Sequence, residues 1–170
     1  MAISAQSKAL RAAGEDVISF DIGEPDFDTP EAIKLACISA LEHGDTKYTA
    51  ANGTPKLREA IASKMARENK LKYSPDEITV ACGGKHALYN IFQSILNPGD
   101  EVIIPAPYWV SYPDQVLLAD GVPVILQTGQ ETEFKITPAQ LEECLKAHPR
   151  AKAFVVASPN NPTGAVYSRE

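Results

Sequence analysis

Three short clusters in this 170-residue chain carry residue types that could hold a flat, anionic ligand. The first is Gly83-Gly84-Lys85. Two glycines let a ligand approach the backbone closely, and the first amides of a helix starting there have no partner within the helix. With the helix dipole behind them, such amides can cradle a phosphate. The Gly-x-x-x-x-Gly-Lys-Ser/Thr and Gly-x-Gly-x-x-Gly spacings are both absent, and a plain tight turn accounts for these three residues equally well. The second is Trp109, the only tryptophan, in a loop after an apolar run. Its face can stack on a planar ring, although filling a core is the commoner use of a lone tryptophan. The third is Asn161, in Ser158-Pro159-Asn160-Asn161-Pro162-Thr163-Gly164. Its amide offers both donors and acceptors to one edge of an oriented ring. Together the three suggest a flat, phosphorylated cofactor.

The elements that must position these clusters are legible from turn formers and apolar runs. Residues 3–13 read as a helix ending near Gly14, and Val17–Phe20 as a short extended run. Thr29, Thr54 and Thr137 each precede a proline, an N-cap followed by a first-turn proline, and Gln140 completes a capping box at the last. The expected helices run from 30 to about 42, from 55 to about 69 with Leu57, Ile61 and Met65 on a stripe, and over 138–147. Ile78–Cys82, Glu101–Ile104, Val122–Leu126 and Ala153–Ala157 read as strands. Pro123 puts the third near an edge, and the unbroken run 153–157 reads as buried on both faces. A helix after Gly83-Gly84 carries Leu88, Ile91, Phe92, Ile95 and Leu96, and another runs from the Trp109 loop to about Ala119. Strands alternating with helices imply a mainly parallel sheet with right-handed crossovers. The three clusters would then follow three strands at one end of the sheet, where open α/β sheets bind ligands.

Composition narrows the classes further. Hydrophobic residues at 44% and charged residues at 22% fit a globular protein with a real core. A net charge of −6 gives no electrostatic case for nucleic acid or an anionic membrane surface, and no apolar stretch is long enough to span a bilayer. The N-terminus has no secretory pattern. Cys37, Cys82 and Cys144 are odd in number and widely spaced, which fits reduced thiols in a cytoplasmic protein. Neither they nor His43, His86 and His148 show metal-ligand spacing, so no metal is expected. A long connection, 44–53, carries an isolated Tyr48 beside Lys47, and loops of this kind hold function more often than packing.

Several segments in order carry a family resemblance: Gly23-Glu24-Pro25-Asp26-Phe27, Lys47-Tyr48, Gly53-Thr54-Pro55-Lys56-Leu57-Arg58, Gly83-Gly84-Lys85, Pro107 through Pro113, and Ser158 through Gly164. From about residue 5 onward the chain resembles the N-terminal part of a class I aminotransferase, a pyridoxal-phosphate enzyme. It is most similar to the bacterial aspartate-aminotransferase subgroup. The resemblance implies a three-layer α/β/α large domain with a mainly parallel sheet, incomplete, over 31–170, and a short N-terminal piece of the small domain over 1–30. It implies that backbone groups of Gly83, Gly84 and Lys85 bind the phosphate of pyridoxal 5'-phosphate and that Trp109 stacks on the ring. Asn161 would contact the ring's 3-oxygen and the substrate carboxylate, and Gly23 would let that carboxylate approach the backbone. Tyr48 would reach the cofactor phosphate of a neighbouring copy in a homodimer. The family's cis peptides fall at Ala106-Pro107 and Asn161-Pro162.

The same resemblance places the Schiff-base lysine, the acid facing the ring nitrogen and the carboxylate-binding arginine beyond Asn-Pro-Thr-Gly, and therefore beyond Glu170. No catalytic residue is assigned within the chain, since Lys85 matches the phosphate loop. The expectation is a fragment of an aminotransferase, inactive alone, whose parent moves an amino group between an amino acid, aspartate or glutamate by resemblance, and a 2-oxo acid. A lyase of the same fold and a non-catalytic cofactor-binding or dimerisation module are the alternatives. The module reading has to accept exposed apolar sheet edges.

Overall fold

The computed structural model describes residues 2–18, 20 and 23–169, apart from the side chain of Ala2. Residues group into two compact units, Met1–Tyr48 and Thr49–Glu170. The first contains helices α1 (Ala2–Ala12) and α2 (Glu31–Glu42), close to their expected bounds. Ser19 of the extended run lies outside the described residues. One capping expectation is corrected. Pro30, not Thr29, is the N-cap of α2, with no side-chain cap bond, and its carbonyl takes the amides of Ile33 and Lys34. The φ that suits proline to a first helical turn serves equally just outside it, so the helix begins one residue later.

In the second unit, α3 (Pro55–Lys64) starts as expected, with the Thr54 hydroxyl accepting from the Leu57 amide at 3.3 Å. Its last turn widens into a π-helical segment, Met65–Asn69, closed by left-handed Lys70. The expected strand at 78–82 is not a strand. Ile78 is extended, but the Val80 amide donates to the carbonyl of Asn52, in a loop, at 3.1 Å. A strand needs a neighbouring strand, and among the described residues none lies alongside. Gly53 is the residue that lets this contact close. It sits at φ +97°, and a Cβ there would come within 2.7 Å of Val80 Cγ2.

Among the described residues the sheet has three parallel strands in the order β2-β1-β3: β1 (Glu101–Ala106), β2 (Val122–Gln127) and β3 (Ala151–Phe154). Pairing of β1 with β2 is regular from Glu101↔Val122 to Ala106↔Gln127, whereas pairing with β3 shifts register between Glu101 and Val102. Pro123 sits on an edge strand, as expected, where its missing donor costs no ladder bond. The 153–157 expectation is corrected in both extent and burial. The strand runs over 151–154 with alternating exposure, and Val156 beyond it is 53% exposed. The apolar run reflects hydrophobicity, but among the described strands burial on both faces belongs to β1, the one with a neighbour on each side.

The period-2 alternation of β1 divides the core. Val102 and Ile104 pack with Phe92 and Leu96 of α4 (Gly83–Ile95) and its end, and with Val116 and Ala119 of α5 (Ser111–Leu118) and its end. Ile103 faces the other way, against Val124 of β2 and Cys144 of α6 (Pro138–Ala147). Helices thus cover both faces of the sheet, the α/β/α layering expected. Of the five apolar residues expected on one face of α4, Ile91 and Ile95 are left 49% and 37% exposed. The capping box of α6 forms as read, with the Thr137 hydroxyl accepting from Gln140 N–H and the Thr137 amide donating to Gln140 Oε1.

Polar contacts hold the N-terminal end of the strands. Asp100 Oδ2 accepts from the Asn97 amide at 2.8 Å and pairs with Lys152 at 2.9 Å, while Glu101 pairs with His148 at 2.9 Å. The Asn97 amide, then Lys152, hold the Asp100 carboxyl below its ordinary range.

Two outcomes follow for stability. Ile103→Ala removes a fully buried side chain and is expected to cost about 2–5 kcal/mol in denaturant unfolding. Asp100→Asn is expected to lower stability at neutral pH. Because the folded carboxyl titrates below its unfolded value, the stabilisation is present above the unfolded pKa and is lost as pH falls through the folded one. The difference between wild type and variant should therefore close in acid, as read by unfolding from pH 7 downward.

Candidate cofactor site

At the C-terminal end of β1 the chain turns through a cis Ala106-Pro107 bond into Tyr108 and Trp109. The Trp109 carbonyl accepts the Tyr112 amide at 3.0 Å, so Trp109 stands where α5 begins. The end of β2 secures this turn from one side, as Thr128 donates to the Ala106 carbonyl through both its amide and its hydroxyl, the latter at 2.6 Å. The loop after β3 secures it from the other side. There Asn160 Nδ2 donates to the Pro107 carbonyl at 3.0 Å.

Gly83 opens α4 at φ +83°, a left-handed value that a side chain would resist. Its amide donates to the Ala81 carbonyl at 2.8 Å. Cys82 is the N-cap without a side-chain cap, and its own amide donates to His86 Nδ1 at 3.1 Å. Among the described residues the first-turn amides of Gly84 and Lys85 have no partner and both residues are exposed, and a Cβ built on Gly83 or Gly84 would meet nothing within 4 Å. An anion could come directly against this turn. Lys85 adds charge, its Nζ lying 5.0 Å from the centre of the Trp109 ring, a cation–π distance. Tyr112 meets Trp109 edge-on at 5.5 Å.

The fold thus brings Gly83-Gly84-Lys85 and Trp109 together, with Lys85 as the bridge. The Asn161 loop is brought alongside through its neighbour Asn160. Asn161 itself is exposed, and its side chain has no hydrogen bond among the described residues. Its peptide to Pro162 is cis, as is Ser158-Pro159, which was not expected. Gly23 and Tyr48 belong to the other unit, where both are exposed, Tyr48 fully so.

Two residues of the site were not singled out from sequence. Gln115, on α5, is buried, and its Nε2 donates to the Lys85 carbonyl at 2.8 Å, tying α5 to the first turn of α4. A polar residue inside the Tyr112–Val116–Ala119 stripe was the available signal. Asn160 was the other, since an asparagine opening a turn commonly bonds backbone a few residues away. Gln115 also lines an open cleft of about 450 Å³ with Cys82, Lys85, His86, Ser111 and Asp114.

These residues fit a flat, phosphorylated group: open donors on a helix start for the phosphate, an indole beside them, and an unengaged amide on the adjoining loop. The comparisons with known proteins agree. Residues 15–170 match the family described as aminotransferase class I and II. The aspartate/prephenate aminotransferase of Cereibacter sphaeroides is 57% identical over 99% of this chain and 42% of its own length. The aspartate aminotransferase of Geobacillus stearothermophilus is 52% identical over all of the chain and 43% of its own. Among solved structures, the Thermus thermophilus aspartate aminotransferase with maleate superposes with a TM-score of 0.93 at 51% identity, covering 99% of this chain and 44% of that one. The chain thus spans about two-fifths of the length of the relatives it matches. With helices on both faces of a parallel sheet and this run of motifs along it, the chain belongs to the class I and II aminotransferase family.

Proposed function

We propose that the chain forms the pyridoxal-phosphate-holding part of an amino-acid aminotransferase, which moves an amino group between aspartate or glutamate and a 2-oxo acid. The observation that carries this reading is the pair of open amides at Gly84 and Lys85 beside Trp109. The relatives' names, aspartate and aspartate/prephenate aminotransferase, support the substrate class. Bound there, pyridoxal phosphate supplies an electron sink for the pair left at the substrate's α-carbon.

The chain's own residues bind and orient. Gly83, Gly84 and Lys85 form the phosphate turn, in which the Gly84 and Lys85 amides donate. Trp109 packs on the ring and fixes its plane, and Asn161 meets the ring's oxygen and the substrate carboxylate. Gly23, unhindered by a side chain, lies against that carboxylate. Lys85 is not assigned the covalent role, because its ammonium lies over Trp109. No residue of the chain is assigned to move the α-proton. We further propose a homodimer in the cytoplasm, in which Tyr48 of each copy reaches the neighbour's phosphate. A fully exposed tyrosine on a connecting loop and three free cysteines support that reading. The division at residue 30 between a small-domain segment and the large domain is part of the same proposal.

The test is equilibrium binding of pyridoxal phosphate to the native gene product, with amino transfer from aspartate to 2-oxoglutarate as the activity. Binding with no transfer from any amino acid would leave a cofactor protein but not an aminotransferase. Gly84→Ala is expected to raise thermal stability by up to about 1 kcal/mol, since alanine favours the helix, while lowering cofactor affinity about tenfold by blocking close approach. Tyr48→Phe is expected to weaken cofactor affinity several-fold, the loss of one hydrogen bond, without changing the sedimentation behaviour.

A further inference from the structure

Asn160 and Asn161 are adjacent in sequence and opposite in circumstance. Asn161 is exposed and leaves its amide open. Asn160 is half-buried, and both protons of its Nδ2 are engaged, one on the Pro107 carbonyl at 3.0 Å and one on Thr163 Oγ1 at 2.9 Å. Its backbone is engaged as well. The amide donates to the Ala165 carbonyl at 2.9 Å, and the carbonyl accepts from the Gly164 amide at 2.7 Å. Thr163 Oγ1 also accepts from the Ala165 amide at 3.2 Å. The loop therefore closes on itself through Asn160 and Thr163, with a single arm reaching back to Pro107. Among the described residues that arm is the one hydrogen bond between the 158–164 loop and the 107–110 loop.

We propose that Asn160 is the positioning residue of this site, fixing the separation between the loop that carries Trp109 and the loop that carries Asn161. The inference rests on the cofactor reading above and extends it. A ring gripped by an indole on one loop and an amide on another is oriented only as well as the two loops are registered. Pro107 is two residues from Trp109, and Asn160 is one residue from Asn161, so a single amide sets that register at short range. The requirement is chemical as well as steric. Pro107 offers only a carbonyl oxygen, so the group facing it must be a donor. An aspartate of the same shape would turn the arm into a contact between two acceptors. Tyr167 braces the same loop further along, its hydroxyl accepting from the Ile136 amide at 2.9 Å and its amide donating to Ser158 Oγ at 3.1 Å. The Asn160 arm is therefore separable from the loop's general anchorage.

The experiment uses the native gene product stripped of cofactor and titrated with pyridoxal phosphate, following affinity and the visible circular-dichroism band per bound cofactor. Asn160→Asp is expected to weaken affinity about tenfold, the scale of losing one or two hydrogen bonds, and to change the sign or amplitude of the band. Thr163→Val should shift both in the same direction by less, and Thr163→Ser, which keeps the hydroxyl, should restore both. If Asn160→Asp fails to fold, the Thr163 pair decides. An unchanged band per bound cofactor in Asn160→Asp and Thr163→Val would overturn the proposal, since a merely structural loss lowers occupancy without reorienting the ring. Wild-type protein that binds no pyridoxal phosphate would remove the cofactor reading and this inference with it. Wild-type binding with unaltered variants would overturn this inference alone.

Discussion

The site depends on one strand that has no freedom. Val102, Ile103 and Ile104 are fully buried, covered by α4 and α5 on one face and α6 on the other, with a parallel neighbour on each side. Each such side chain contributes roughly 1.5–3 kcal/mol of burial, and their alternation sends Val102 and Ile104 into one layer and Ile103 into the other. The strand's last residue is therefore fixed in space, and so is the point at which Pro107 and Trp109 leave the sheet. α4 is fixed by the same core through Phe92 and Leu96, which in turn fixes its first turn. Two features distant in sequence, the phosphate turn and the indole, are registered by apolar packing that touches neither.

What apolar packing cannot do is set loop geometry to within an ångström, and here polar side chains take over. Thr128 holds the end of β1 from β2, Gln115 holds the Lys85 carbonyl from α5, and Asn160 holds the Pro107 carbonyl from the loop after β3. Each places a side-chain donor on a backbone carbonyl of a different element. Gln115 shows what this costs. Its Nε2 is satisfied, but its Oε1 is buried with no partner among the described residues, an arrangement worth about 1–3 kcal/mol against stability. An apolar residue of that size would pack there without such a penalty but could not hold the first turn of α4 by its carbonyl.

Much of this was legible in the sequence, for reasons that differ by element. Thr137-Pro138 with Gln140 specified a helix start locally, and the structure reproduces it bond for bond. Pro123 marked an edge because its missing N–H is a property of one residue. Burial of 153–157 was misread because the apolar run states what the residues would accept, whereas coverage is decided by neighbours elsewhere in the chain. The 78–82 segment differs for a similar reason: Ile78 is extended, but the Val80 amide goes to Asn52 in a loop rather than to a neighbouring strand. At the site, Gly83, Trp109 and Asn161 were visible because their types are unusual where they stand. Asn160 and Gln115 were not, because their roles lie in partners 53 and 30 residues away, which no local pattern encodes.

The hydrogen-bonding groups around the site fall into two sets. The Gly83 amide, the Nδ2 of Asn160 and the Nε2 of Gln115 are matched within the chain. The Gly84 and Lys85 amides and the Asn161 side chain are open, and all three residues are exposed. An unmatched polar group is expensive only when buried, because water satisfies it otherwise. Keeping the open set at the surface of α4 and of the last loop thus costs little, while the matched set, half-buried or buried where it is carried by side chains, holds the frame. A ligand that displaces water from the open groups meets donors already in place, with Lys85 adding positive charge in a chain that is negative overall. Rigidity and readiness are assigned to neighbouring residues, Gly83 beside Gly84 and Asn160 beside Asn161. One member of each pair can therefore hold the backbone still while the other stays free to bind.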